Sequence, residues 1–373
     1  FANFVNVPEL MSRVRMFMDV LTSSQLGTRV TRPDIKDNAP KVVLAPKNSG
    51  LQAYQDGQLN KRIEISKKWK PSKEQPGNPD PMINIITDGK LASIDMRFVD
   101  PDAVNDPTSK LNVFIDGIIK TYHRTKDTEY AMSYGSMDKS PVKGGSQIVF
   151  YNNGFGKGVI DRRGFDSKAF LMKRLKKAGV PANHVGWIDD YKTPTQKETL
   201  FKAVRDGKKR ILLGSAKKMG TGVNAQNRLT DLHYLDAPWY PADVEQPDGR
   251  IIRQGNQNKE VGINRYATEG SYDATLWQMV ARKARAIDQA FAGDKDLRRV
   301  EDVSEASQYE MAAALASGDE RVVELVRLRA DIDGLLMLSS AHSNNQRSLV
   351  MDKRKLEYNI RSNQGRLEEF KEM

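Results

Sequence analysis

Two arginines and a glutamine carry the chemistry this sequence could do. In Glu245-Gln246-Pro247-Asp248-Gly249-Arg250-Ile251-Ile252-Arg253-Gln254-Gly255, a helix from about Val244 would place Gln246, Arg250 and Arg253 at i, i+4 and i+7, on one face. Two guanidiniums and an amide grouped in this way suit a polyphosphate whose charge shifts in a transition state, because each guanidinium presents a planar fork of donors to phosphate oxygens. A bare Gln-x-x-x-Arg-x-x-Arg is more often a solvated basic face. Its place after a Gly-rich strand turn reverses that preference. The turn lies in Gly214-Ser215-Ala216-Lys217-Lys218-Met219-Gly220-Thr221-Gly222-Val223-Asn224-Ala225-Gln226, where Gly220, Thr221, Gly222, Asn224 and Gln226 crowd together. Glycines at the C-terminal edge of a parallel strand let backbone N–H groups approach a phosphate without interference from Cβ. Alone the signal is weak, since many such turns are only tight connections.

The elements around these residues must form an α/β frame. Gln147–Tyr151 is a short apolar run of the kind buried on both faces of a sheet. Strands are expected again at 184–188, 209–214, 231–235 and 261–267, with helices at 165–178, 194–206 and 244–253 between them. Strands alternating with helices of this length imply right-handed crossovers and a parallel sheet flanked by helices. This domain is expected to span residues 108–292. Residues 1–107 read as helices and loops, with helical spacing over 1–26, 52–67 and 82–97, a short strand at 42–45 and a Pro, Gly and Lys-rich loop at 70–81. Residues 293–373 read as a helical extension. Its last part carries Leu349, Leu356, Ile360, Leu367 and Phe370 at alternating spacings of three and four, which suits a coiled coil or helical hairpin.

The bulk numbers narrow the partners. A net charge of +11 favours a polyanion, through release of counterions from phosphates. There are no cysteines, so disulfides, thiolate metal sites and cysteine nucleophiles are excluded. His123, His184, His233 and His342 stand singly, which argues against a histidine metal cluster. No apolar run approaches the ~20 residues of a membrane span. The chain opens on Phe1 and closes on Met373 inside helical patterns, so both ends are expected to be cut from a longer polypeptide.

The series QIVFY, KRILLGSAKKMGTGVNAQ and LHYLDAPWYPADVEQPDGRIIRQGNQN resembles motifs IV, V and VI of the SNF2-like superfamily 2 ATPases. The resemblance extends to the branch found in very large phage and plasmid antirestriction proteins that join a helicase to an N6-adenine DNA methylase. It implies that the α/β domain is a second RecA-like lobe. Arg250 and Arg253 would be arginine fingers reaching the γ-phosphate of ATP, and Gln246 would sense nucleotide. Gly220, Gly222 and Asn224 would line the nucleotide cleft, and Ser215, Lys217, Lys218 and Thr221 would face the backbone of double-stranded DNA. Asp236, Pro238 and Trp239 match the family's strand-to-helix junction, with Trp239 in a packing role. ATP and Mg2+ would be held mainly by a first lobe, supplied by the same or another chain. The implied setting is the host-cell cytoplasm or a phage particle, with a methylase module and phage proteins as further partners.

The sequence departs from the family at Pro247, where the wider superfamily often carries Arg and SNF2-like members a small residue. Proline is acceptable in a first helical turn, so this one is expected to fix where the helix begins. There is no GxxxxGK[ST] phosphate loop and no DExH-like acidic box. The GFGKG run at 154–158 has neither the spacing nor the expected strand-turn-helix context. The chain alone is therefore expected not to hydrolyse ATP. The rival reading is a degenerate lobe kept as a structural module of a phage particle. An unrelated nucleotide-binding α/β enzyme would need a second pair of catalytic groups that the sequence does not show.

Overall fold

The computed structural model describes residues 32–38, 40–71, 77–219 and 224–269. It also describes positions 3–5, 13, 16, 17, 271, 273, 276, 277, 280, 283, 299–301, 328, 346, 349–351, 353, 354, 356, 357 and 360.

Seven strands form one sheet, and every pairing in it is parallel. In chain order they are β1 (Asp34–Ile35), β2 (Lys41–Ala45), β3 (Ser146–Phe150), β4 (Val185–Trp187), β5 (Ile211–Gly214), β6 (Leu229–Tyr234) and β7 (Glu260–Thr268). Across the sheet the order is β7, β6, β3, β5, β4, with β1 and β2 lying one after the other along the outer side of β7. The strands read as apolar runs because both faces are covered. Ile148 and Phe150 of β3 enter one core layer, while Val149 and the following Tyr151 enter the other.

Helices supply the two cover layers. One face carries α4 (Lys110–Arg124), α5 (Lys157–Arg163) and α6 (Ser167–Lys177), with Leu111, Phe114, Ile115, Ile118, Leu171 and Leu175 buried against the sheet. The other carries α7 (Pro194–Arg205) and α9 (Ala242–Ile251), together with Leu276, Trp277 and Val280. The starts of two helices are written in their caps. Ser109 accepts from the Asn112 N–H ahead of α4, and Thr193 and Gln196 form a reciprocal capping box with Pro194 at the first position of α7. α1 (Ser49–Tyr54), α2 (Asn60–Lys68) and α3 (Met82–Ile94) pack as a third cluster beside β7. The four-residue α8 (Ala216–Met219) follows β5.

The expected fold class is therefore the observed one, a parallel sheet flanked by helices. Several details differ. Two sheet strands come from residues 34–45, so the sheet crosses the expected boundary at residue 107. Residues 52–67 do not form one regular helix. A π-helical stretch, Gln55–Leu59, separates α1 from α2 and buries both Gln55 and Leu59. The 154–158 run does sit between a strand and a helix, β3 and α5, because Gly154 turns the chain at φ 88° against the Phe98 ring. Near the N-terminus, where a helix over 1–26 is expected, Asn3–Val5 is extended and pairs antiparallel with Arg299–Glu301. Most of the helical extension expected over 293–373 lies outside the described residues. At 349–360 the described positions are helical, and Leu349, Leu356 and Ile360 are exposed. Among the described residues no helix is long and apolar enough to cross a membrane.

Close packing at the centre rests on Tyr266 of β7. Its ring meets Phe114 edge to face at 5.1 Å, its hydroxyl lies 3.0 Å from His233 Nδ1, and a Cβ at Gly117 would overlap that hydroxyl. Gly117→Ala should therefore cost about 1–3 kcal/mol, read as a lower urea midpoint; an unchanged midpoint would refute the tight contact. His233 is fully buried, and desolvation, with Arg124 as a lesser cause, pushes its pKa down to about 3. The unfolded chain takes up this proton near pH 6.5 and the folded one only near 3. Stability should fall by up to about 1.4 kcal/mol per pH unit across that window. His233→Gln should remove that part of the slope, and a slope equal to wild type would contradict the assignment.

Candidate functional site

The arginine-bearing helix α9 begins at Ala242, five residues before Pro247. Pro247 thus lies in the second turn, not the first as expected. It is buried, and it has no N–H to offer the Asp243 carbonyl four residues back. Asp243 and Glu245 in the first turn complement the positive end of the helix dipole.

One half-buried carboxylate fastens α9 to the sheet. Asp248 accepts from the Tyr234 hydroxyl at 2.7 Å and from Arg265 Nη2 at 2.9 Å, so it joins the helix to β6 and β7 together. The partners are themselves wedged. Tyr234 stacks on Phe150 at 4.8 Å and meets Trp277 edge-on at 5.9 Å, and the Arg265 guanidinium lies 5.5 Å from the Trp277 ring centre. Burial raises the pKa of Asp248, while Arg265 and the Tyr234 hydrogen bond oppose that shift.

The helix ends at Ile251, with Ile252 as its cap, so Arg253 stands in the following turn and not on the helical face expected for it. That turn is laced to the start of β6. Asn256, buried, donates to the carbonyls of Leu229 at 2.8 Å and Ile251 at 2.9 Å. Gln257 bonds Asn227 through both its backbone and its side chain, at 3.1 and 2.8 Å. Gly255 makes the turn at φ 97°, with Gln226 close against it. Arg250 is half-buried and Arg253 exposed. Burial lowers the pKa of Arg250, and the second cause is the neighbouring charge of Arg253. Arg250 in the last turn of α9 and Arg253 in the turn that follows thus lie at the same end of the helix.

The other expected residues are placed unevenly. Gln246 is exposed on α9, one turn before Arg250. Ser215 follows β5 directly, and Lys217 and Lys218 are exposed on α8, which packs against α9. Lys218 is ion-paired with Asp189, which also accepts from the Tyr151 hydroxyl at 3.2 Å, so its charge is partly engaged within the chain. Asn224 is exposed, and its carbonyl accepts from Arg205 Nη1 at 2.5 Å. Gly220, Thr221 and Gly222 lie outside the described residues. Sequence reasoning missed Asp248 and the Asn256–Asn258 lacing. The available signal was an acid inside a basic motif, followed by a run of amides.

At the opposite end of β6, Asp236 is buried and accepts from the Asn152 N–H at 2.8 Å and from the Asn153 amide. It ties together the C-terminal ends of β3 and β6, whose outgoing helices α5 and α9 lie on opposite faces of the sheet. Such a reversal opens the crevice where α/β sheets commonly bind ligands.

No family model matches the chain. Over 112 residues, 30% of the chain, it is 30% identical to the Defense against restriction protein B of Escherichia phage P1, and it spans 5% of that protein's length. Among solved structures, it is similar to the C-terminal part of the Fun30 ATPase domain at 12% identity and a TM-score of 0.43, covering 78% of this chain and 98% of that one.

If Asp248 is the anchor, Asp248→Asn should lower unfolding stability by about 2–3 kcal/mol, because Arg265 loses its charged partner. Pairing it with Arg265→Met should recover part of the loss in urea melts. Strictly additive losses would show that the two side chains do not act as a unit.

Proposed function

We propose that this chain supplies the arginine-bearing lobe of an ATP-driven DNA motor: a second RecA-like lobe of the SNF2-like kind, closing against another lobe that holds the nucleotide. The observation that carries the reading is that Arg250 in the last turn of α9 and Arg253 just beyond it share one helix end, anchored to the sheet through Asp248. A polyphosphate docked against that end would meet both guanidiniums. Their charge would matter most where negative charge grows on the transferred phosphoryl group. Gln246, one turn earlier on the exposed side of α9, is positioned to read the same ligand.

The sequence similarity to a phage protein named for defence against restriction supports a role in protecting phage DNA from restriction. In this reading the exposed Lys217, and Lys218 beside it, face the DNA backbone, aided by the net charge of +11. Among the described residues no group of acidic or histidine side chains is arranged to hold a metal ion. In this reading magnesium is held mainly by the partner lobe.

The test is turnover in the polypeptide or complex that joins this lobe to a phosphate-loop lobe. Arg253→Ala should lower DNA-stimulated ATP hydrolysis by roughly a thousandfold or more, with DNA affinity nearly unchanged. Wild-type turnover by Arg253→Ala would sink the motor reading and favour a non-catalytic scaffold.

A further inference from the structure

The crevice at the ends of β3 and β6 is filled by the chain's own charges. Asp236 occupies it, bonded to Asn152 and Asn153. Beside it Lys110, the first residue of α4, is fully buried and ion-paired with Asp273. Lys90 comes from α3, is 6% exposed, and sets its ammonium 3.9 Å from the centre of the Trp239 ring. Two lysines and two aspartates thus meet where four segments converge: α3, α4, the connection after β6 and the segment after β7.

Burial pushes the Lys90 pKa down to about 8, against the favourable fields of Asp236 and Asp273 and the unfavourable one of Lys110. Lys90 is nonetheless held inside the chain with its ammonium on an aromatic ring. What it touches is specific. Trp239 lies in the 236–241 connection, three residues before α9 begins, and Asp236 pins the other end of that connection. α3 is in turn tied to β7 by the Thr268 hydroxyl, which donates to the Ser93 carbonyl at 2.6 Å.

We infer that Lys90 is a positioning residue: its ammonium, seated on the Trp239 ring, is the contact through which helix α3 sets the connection that launches the arginine-bearing helix. The coupling stands on this geometry alone; the purpose of what is positioned rests on the motor reading above. Displacement of α3, by anything that binds the N-terminal helices, would reach Arg250 and Arg253 through this ring.

The test uses the 373-residue chain, with hydrogen exchange read peptide by peptide and stability read by urea. Lys90→Met should leave the midpoint unchanged or raised, because an apolar side chain of similar length replaces a buried charge. Exchange over 237–253 should nevertheless quicken by roughly tenfold or more, with β3 and β5 unaffected. Trp239→Leu, at a partly exposed position, should give the same local effect, and the double variant should be no faster than either single one. Three results would each overturn the inference: unchanged exchange over 237–253, a fall in midpoint with faster exchange throughout, or additive effects of the two substitutions. Should Lys90→Met not fold, Trp239→Leu and Trp239→Phe give the same readout, with Phe closer to wild type. Local coupling alongside wild-type turnover in the Arg253 variant would keep this inference and discard the motor reading.

Discussion

The position of α9 depends on one carboxylate. Asp248 is the point at which two adjacent strands and a helix are joined by hydrogen bonds of 2.7 and 2.9 Å inside an aromatic shell of Phe150, Tyr234 and Trp277. A helix interrupted by Pro247 lacks one of its own ladder bonds. Packing of Val244, Pro247 and Ile251 against the core and the Asp248 anchor supply what the ladder does not. Everything downstream follows from that fixation, including the direction in which Arg250 leaves the helix and the place where the chain turns to offer Arg253.

Charge is used in two ways in this molecule. On the outside, an excess of Lys and Arg makes the chain cationic. Inside, most charged groups meet opposite ones: Asp231 meets Arg124, Asp273 meets Lys110, and Asp88 accepts from both Arg62 and Arg163. The last of these links α2, α3 and α5. Such pairs add little net stability, but breaking one strands a charge in a medium of low polarity, so each fixes geometry.

Much of the frame was legible in the sequence because buried parallel strands leave a plain mark. Ile148-Val149-Phe150 and Ile211-Leu212-Leu213 are apolar on both faces, and their helices carry caps at Ser109 and at Thr193 with Gln196. What was not legible depended on partners distant in sequence. Pro247 was expected in the first turn of a helix from about Val244 because a proline is tolerated there locally, whereas the helix, capped by Pro241, starts at Ala242 and puts it in the second. Arg253 fell on the expected helical face only if the helix continued past Ile251. Asn256 ends it by bonding the carbonyls of Ile251 and Leu229, a contact no local pattern encodes. Asp248 and Lys90 belong to the same class, since each looks like an ordinary surface charge until its partners on other elements are known.

In the proposed motor lobe, the two guanidiniums at one helix end form a single polyphosphate-binding unit. Its most direct measurement is NMR of the arginine side-chain Nε–Hε signals in this chain during titration with tripolyphosphate. The Arg250 and Arg253 signals should shift together along one binding curve, and Arg253→Lys should weaken the shift of Arg250. Independent curves for the two signals, or saturation at other arginines while these two stay still, would contradict it.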